Sequence, residues 1–396
     1  MRSILARLVA RAGEGNDDVM NLQLDSEQTI LRDMVERFLA ERYDYRTYRK
    51  IAASESGFSA EIWREFAAMG WLGLPFAVED GGSGGGPTEI AILMEAFGKS
   101  LVLEPYLETV ILTGGLIAGL ATSAERQALL GPIIAGEAMM AFADEDGAAA
   151  VTAAQRSAGY VLSGSKRMVL GAPMATTLLV SAALPSGSRG AFVVPVPAAG
   201  MTIKPQRLID GRRAAEIVFA DVSVPTAALV GGNADAQAAI EAATARSTAA
   251  LAADAVGAIA ALVAATVDYA KTRVQFGQPI GKFQALQHRL VAMKIQEEEA
   301  RAAALLATLH LDAEPASRAR AVSGAKAKIG RAARLVHQDA IQLHGAIGTT
   351  EELAIGAYAK RLIAFETLFG ATRVHLRRYA AALADRDVAA AGLLGN

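Results

Sequence analysis

The sequence predicts an α+β protein, mostly α, with an N-terminal helical domain, a middle antiparallel β-domain and a C-terminal four-helix bundle. Three observations carry this. The apolar period is helical from Asp25 to about Gly136, falls to two residues between about Ala138 and Val230, and is helical again from Asp235 to the end. Turn residues gather where short apolar runs end. The length, 396 residues with 52% hydrophobic and 20% charged side chains, is enough for two or three cores at roughly 150 residues per domain. The expected boundaries are 1–20 for a loose tail, 21–136 for the helical domain, 137–232 for the β-domain and 233–396 for the bundle.

Charge and cysteine content exclude several function classes. Lys and Arg number 39 against 41 Asp and Glu, a net charge of −2, which lacks the cationic excess that nucleic-acid binding needs. Without cysteine there are no disulfides, thiolate nucleophiles, Fe–S clusters or Cys-ligated zinc. The expected location is cytoplasmic. At the N-terminus, Arg2, Arg7 and Arg11 surround Ile4, Leu5, Leu8 and Val9. That apolar run is too short for a signal-peptide core and no small-residue cleavage site follows, so a loose tail is expected, with Met20 as an alternative start.

In the first zone Leu31, Met34, Val35, Phe38 and Leu39 recur at helical spacing, as do Ile62, Phe66 and Met69, with Ser59 as a cap. Gly70–Phe76 and the cluster Gly81–Gly86 connect to a helix whose first residue is Pro87. In the second zone β-branched runs at Tyr160–Leu162, Leu178–Val180, Phe192–Val194 and Glu216–Val224 read as strands, separated by Ser163-Gly164, Pro185-Ser186-Gly187, Ala199-Gly200 and Asp210-Gly211. In the third, helices are expected at Ala238–Lys271, Phe283–Leu311, Ala316–Leu343 and Ala354–Leu383. Thr248–Val267 is long enough to span a bilayer, but it carries Asp254 and is mostly alanine, so a packed bundle helix is expected and no membrane partner.

Several motifs fail on context. Gly81-Gly82-Ser83-Gly84-Gly85 fits the nucleophile-elbow spacing of serine hydrolases, yet it joins two helices where an elbow joins a strand to a helix. Gly98-Lys99-Ser100 lacks the earlier glycine of a phosphate loop, because Leu93 stands there. The histidines 288, 310, 337, 344 and 375 form no H-E-x-x-H, so no metal site is expected.

Two segments carry chemistry. Arg273-Val274-Gln275-Phe276-Gly277-Gln278-Pro279-Ile280-Gly281-Lys282-Phe283-Gln284 sets a guanidinium, aromatic rings and amides around a helix break. An arginine fork suits a diphosphate; an ordinary helix connection would instead leave Arg273 solvated and put Phe276 and Phe283 in the core. Gln342-Leu343-His344-Gly345-Ala346-Ile347-Gly348 ends a helix in small residues, which permit close backbone approach to a ligand or simply cap the helix.

Together the patterns R-x-x-F-G-x-x-x-x-x-F-Q and Q-L-H-G-x-I-G resemble the acyl-CoA dehydrogenases. Trp63–Gly73, Glu104-Pro105-Tyr106, Gly164-Ser165-Lys166 and Phe219–Pro225 extend the resemblance from residue 22 to about 385. It implies FAD between the β-domain and the bundle, with the adenosine diphosphate half reaching a neighbouring subunit. Arg273 would face the diphosphate, Phe276 would pack beside the cofactor and Gln284 would hydrogen-bond it. Gln342, Leu343, His344, Gly345 and Ala346 would meet the neighbour's FAD. A dimer or dimer of dimers follows. The implied reaction is α,β-dehydrogenation of an acyl-CoA thioester: a carboxylate takes the α proton, the β hydrogen leaves as hydride to flavin N5, and an electron-transfer acceptor reoxidises the flavin.

The chain departs from the family at the base. The Y-E-G-T segment reads Leu368-Phe369-Gly370-Ala371, and the alternative position on the first bundle helix is Ser247 beside Arg246. Glu241 and Glu366 are the nearest carboxylates in sequence; Glu366 would share the space of Phe369 if a helix ran through both. The flavin-contacting T-E-P-G-A-G-S reads Asp144–Ala150, and W-I-T or W-I-S reads Met168-Val169-Leu170. These losses resemble the small subunit of two-subunit acyl-CoA dehydrogenases of the pimeloyl-CoA or sterol side-chain type, which act in fatty acid or sterol degradation. Three expectations result: a subunit whose paralogous partner supplies the base, a non-catalytic subunit that only completes the partner's FAD site, and a self-sufficient homo-oligomer using Glu366.

Overall fold

A computed structural model describes residues 23–232 and 234–393, so the expected tail at 1–20 lies outside the described residues. The chain divides into two compact units, each assembled from separated stretches: one from the segment up to Glu27, Arg49–Gly86 and Leu103–Ser247, the other from Gln28–Tyr48, Pro87–Val102 and Thr248 onward.

The first unit holds helices α2 (Tyr45–Ala53, in its C-terminal half), α3 (Ala60–Ala68), α5 (Gly115–Leu120) and α6 (Ser123–Ile134), and a seven-stranded sheet. Ser59 caps α3, its side chain accepting from the Ile62 N–H at 3.3 Å. Thr122 and Glu125 close a capping box on α6. Between Leu103 and α5 the chain winds as a buried π-helix, Tyr106–Gly114; Tyr106 donates to Trp71 O at 3.0 Å and Thr109 to Met140 O at 2.9 Å.

The strands are β1 (Met140–Ala143), β2 (Thr152–Arg156), β3 (Gly159–Leu170), β4 (Thr177–Ala183), β5 (Arg189–Pro195), β6 (Met201–Arg207) and β7 (Arg213–Pro225). Antiparallel ladders join β2 to β3, β3 to β7, β7 to β6 and β4 to β5. The sheet departs from the antiparallel expectation around β4, which runs parallel to β1, with Met140 opposite Thr177, and to β2, with Thr152 opposite Ala183. A parallel partner needs a long crossover, and the 33 positions between the end of β1 at Ala143 and the start of β4 at Thr177, which include β2 and β3, provide it. The core cluster comes from alternate positions, among them Leu162, Leu178, Val180, Phe192, Val194, Ile217 and Val222.

The second unit is helical: α1 (Ser26–Arg42, from Gln28), α4 (Pro87–Ser100), α7 (Gln237–Thr272, from Thr248), α8 (Gln284–Leu309), α9 (Pro315–His344), α10 (Ile355–Thr367) and α11 (Thr372–Leu393). Here α9 packs on α8, α10 and α11. The 36-residue α7 passes a length-and-hydropathy test for a membrane span, yet its most apolar window is 72% buried within the protein. Its alanines and Gly257 let α4 approach closely: a Cβ at Gly257 would lie 1.9 Å from Glu95 O, and one at Gly98 would lie 1.8 Å from Asp254 O. Inside this unit Arg361 forks onto Asp254, at 2.9 and 2.6 Å, and also reaches Val102 O at 2.9 Å.

The expected fourth bundle helix is corrected: Ala354–Leu383 is two helices, interrupted at residues 368–371. Phe369 and Gly370 adopt φ of +56° and +111°, which no α-helix accommodates. Two buried donors hold this turn. Lys326 Nζ donates to Phe365 O at 2.6 Å and Gly370 O at 3.1 Å, with its ammonium 4.0 Å from the Phe365 ring centre. His375 Nε2 meets Phe369 O at 3.1 Å.

Candidate functional site

The two motif segments of the helical unit are tied to each other. Tyr269, in the last turn of α7, stacks on His344, the last residue of α9, with ring centres 4.3 Å apart. His344 is buried and its Nδ1 donates to Ala340 O at 2.8 Å; burial pushes its pKa below the ordinary histidine value. A neutral ring that keeps its place is the consequence. Leu343 is buried beside it, whereas Gln342, Gly345 and Ala346 are exposed. Gly345 takes φ +65° and its N–H closes α9 onto Ile341 O and Gln342 O.

After α7 the chain forms a small hairpin, Val274–Gln275 paired with Gln278–Pro279. Phe276 sits at its tip with φ +53° and 91% of its surface exposed, its ring edge-on to Phe283 at 6.1 Å. Arg273 and Gln284 are exposed on either side, with no side-chain hydrogen bond among the described residues. An isolated protein gains nothing from such a phenylalanine in water, where burying it is worth roughly 1.5–3 kcal/mol. A free guanidinium fork, an outward aromatic and two free amides, Gln284 and Gln342, are the donor set and stacking face that a diphosphate with a flat ring system requires.

In the sheet unit, the segment Asp144–Asp146 is satisfied internally. Lys166 is buried and donates to Asp146 Oδ1 at 2.6 Å, Asp144 O at 2.7 Å and Ser181 Oγ at 3.0 Å. Asp144 also accepts from Ser181 Oγ at 2.7 Å and from Arg189, while Glu145 pairs with Arg167. Burial lowers the Lys166 pKa against the opposing pull of Asp146; desolvation is also the largest single influence on Asp146, but the hydrogen bonds from Lys166 and the Val151 N–H, with the charges of Lys166 and Arg189, together outweigh it and lower that carboxyl. Met168 projects outward at φ +49°, and Val169 and Leu170 are buried.

The two base positions hold no carboxylate. Ser247 is buried in α7 and donates to Ala243 O at 2.8 Å. Phe369 lies in the turn after α10. Glu366 is in the last turn of α10, and because the helix ends at Thr367 it does not share a helix face with Phe369. Its carboxylate instead caps the next helix: Oε1 accepts from Thr372 N–H at 3.0 Å and Oε2 from Thr372 Oγ1 at 2.6 Å. Glu241 is exposed and accepts from Gln237 Nε2 at 2.6 Å. Sequence reasoning missed Lys326, the donor that shapes the 368–371 turn. Its signal is a charge set among Val322, Ala325, Ile329 and Ala333, all on the buried side of α9.

A helical layer, a mixed sheet and a long-helix unit whose α7–α8 connection is an exposed aromatic–arginine hairpin make up the architecture of the flavin-dependent dehydrogenases to which the comparisons point. The sequence matches the description "Acyl-CoA dehydrogenase, N-terminal domain" over residues 25–137 and "Acyl-CoA dehydrogenase, C-terminal domain" over residues 237–384. The chain is 30% identical to the acyl-CoA dehydrogenase IpdE2 of Mycobacterium tuberculosis, over 89% of its length and 96% of that protein. It is 29% identical to the probable acyl-CoA dehydrogenase YngJ of Bacillus subtilis, over 85% and 92% respectively. A chain in the crystal structure of the ChsE4–ChsE5 complex from Mycobacterium tuberculosis superposes with a TM-score of 0.85 at 25% identity, covering 92% of this chain and 99% of that one. This chain belongs to the acyl-CoA dehydrogenase family, oxidoreductases acting on CH–CH bonds with FAD as cofactor.

Proposed function

We propose that the chain is one subunit of a heteromeric acyl-CoA dehydrogenase whose paralogous partner supplies the catalytic base. The observation that carries this reading is the state of Glu366, whose two carboxylate oxygens are both engaged by Thr372 while Phe369 and Ser247 occupy the base positions. A base must be free to turn toward the α carbon's proton, and both oxygens of this carboxylate are held at a helix N-terminus by the Thr372 N–H and hydroxyl. The likeness to a chain of the two-component ChsE4–ChsE5 complex supports the same reading.

FAD, when bound, accepts the hydride from the β carbon. This chain's own residues bind and orient: Arg273 holds the diphosphate, Phe276 packs against the cofactor, Gln284 hydrogen-bonds it, and Gln342 with the turn from Leu343 to Ala346 presents backbone and amide groups to it. Asp144, with its carboxylate already paired to Arg189 and Ser181, has little capacity to receive a flavin on this chain's own sheet. A subunit that completes the partner's FAD site without catalysing is the second reading, favoured by the same internal pairing.

The test is expression of the chain alone and with a paralogue that retains the base. Colourless protein alone, and yellow protein of the summed mass on co-expression, is the expected result. Yellow protein alone, with one FAD per chain and bleached by an acyl-CoA, overturns the proposal in favour of a homo-oligomer using Glu366.

A further inference from the structure

The turn at 368–371 is held by more polar chemistry than a helix break needs. Ser323 and Lys326, about one turn apart on α9, and His375 of α11 are 4%, 1% and 2% exposed. All three act on the turn. Lys326 donates to the carbonyls of Phe365 and Gly370, on either side of Phe369. The Phe369 carbonyl can only accept, so His375 Nε2 carries the proton that reaches it and Nδ1 accepts from the Ser323 hydroxyl. Glu366 closes the far end onto Thr372, and Gly330, where a Cβ would come within 2.2 Å of Thr372 Oγ1, leaves α9 bare at that point.

Stability alone does not call for this set. Taking an ammonium out of water is costly, and apolar side chains of similar volume commonly stabilise a core as well or better. What the set maintains is itself unfavourable: Phe369 has a left-handed backbone, φ +56°, which a bulky side chain rarely adopts. Strained backbone persists where the surroundings over-determine it, and such places gather at functional sites. Here the strain fixes the residue that stands where the family keeps its base.

We propose that Lys326 is a positioning residue for acyl-CoA binding, acting through Phe369: it locks the turn so that this half-buried phenylalanine presents an apolar wall to the acyl group, where a carboxylate would otherwise stand. The inference rests on the acyl-CoA reading above, whichever subunit supplies the base. Burial pushes the Lys326 pKa down to about 8, with Glu366 of α10 opposing, and the facing His375 of α11 stays neutral there, its own pKa held down to about 4. The lock therefore loosens as the pH rises past 8, when the ammonium is lost.

The test is steady-state kinetics with an acyl-CoA on either side of pH 8, on the assembly that turns over, which is the complex with the paralogue or the chain alone. Lys326→Met and Phe369→Ala are each expected to raise KM by about tenfold, with kcat and FAD content unchanged. The double variant is expected to match the single ones, because one residue acts through the other. Wild-type KM is expected to rise above pH 8, and that of Lys326→Met to stay flat. Where Lys326→Met fails to fold, Phe369→Ala and the wild-type pH profile decide. Additive effects in the double variant, an unchanged KM in Phe369→Ala, or a wild-type KM that is flat through pH 8 overturns the proposal. Turnover by the chain alone overturns the heteromeric reading, and the same variants then test Lys326 in the homo-oligomer.

Discussion

Tyr269 stacks on His344 with ring planes 24° from parallel, and its hydroxyl donates to the His344 carbonyl at 3.4 Å. This pair joins the turn that ends α9 to the last turn of α7, just ahead of the Arg273–Phe276 hairpin. Removing the ring in Tyr269→Ala is expected to lower the FAD content of the assembled enzyme, while Tyr269→Phe, which keeps the stack, retains it. The aromatic pair itself is worth about 1 kcal/mol. Absorbance of purified, assembled protein measures the difference.

Phe276 separates binding from folding. Being almost wholly exposed, it contributes little to the chain's own stability, and exposed substitutions fall within about 0.5 kcal/mol. Phe276→Ala is expected to melt with the wild type yet lose FAD or partner affinity. A matching fall in melting temperature of the isolated chain would place the ring in its core.

Glu366→Gln keeps an acceptor for the Thr372 N–H and an amide beside its hydroxyl, so turnover of the assembled enzyme should stay within twofold. Glu366→Ala removes the cap at a cost of about 1 kcal/mol. Steady-state kinetics decide this: loss of a true base lowers turnover by roughly a hundredfold or more.

Arg361 and Asp254 are both buried in the helical unit. Arg361→Met removes the guanidinium from the buried aspartate and is expected to cost about 3–5 kcal/mol, with Asp254→Asn in the same background recovering part of it. Chemical denaturation of the single and double variants reads the coupling.

His375 supplies a pH dependence. Burial pushes its pKa down to about 4, with the Phe369 carbonyl opposing and Lys326 and Arg378 adding to the depression. Its Nδ1 faces Ser323 Oγ at 3.3 Å, and Glu366 acts in the opposite sense to Lys326. The unfolded histidine takes its proton near pH 6.5, before the folded one does, so the unfolded state binds more protons between about 6.5 and 4. Folding stability therefore falls as pH drops through that window, and His375→Gln is expected to flatten the fall. Melting temperature measured against pH checks the sign.

The long elements were legible because their periods extend over many turns: α7, α8 and α9 lie within two residues of the helices expected from pattern. Three strands were not. Met140–Ala143 is buried throughout and shows no alternation, Thr152–Arg156 is largely polar, and Met201–Arg207 is an exposed edge strand carrying Pro205. The turn at 368–371 escaped because its cause is remote. Only Gly370 marks it locally, whereas Lys326 from α9 and His375 from α11 hold its carbonyls. At the site, Arg273, Phe276, Gln284, Gln342, Gly345 and Ala346 face outward while Leu343 and His344 of the same motif are buried; that Glu366 serves as a cap required the helix break that the sequence concealed.

The Arg361 fork also constrains the order in which the molecule is made. Its partners, Asp254 and the carbonyl of Val102, leave the ribosome 107 and 259 residues earlier, so the helical unit waits for its buried guanidinium until nearly the whole chain has emerged. At about 5–20 residues per second that wait lasts several seconds or longer. Premature termination before residue 361 thus yields a chain whose most apolar helix lacks the arginine fork on Asp254, a natural substrate for chaperones and proteases.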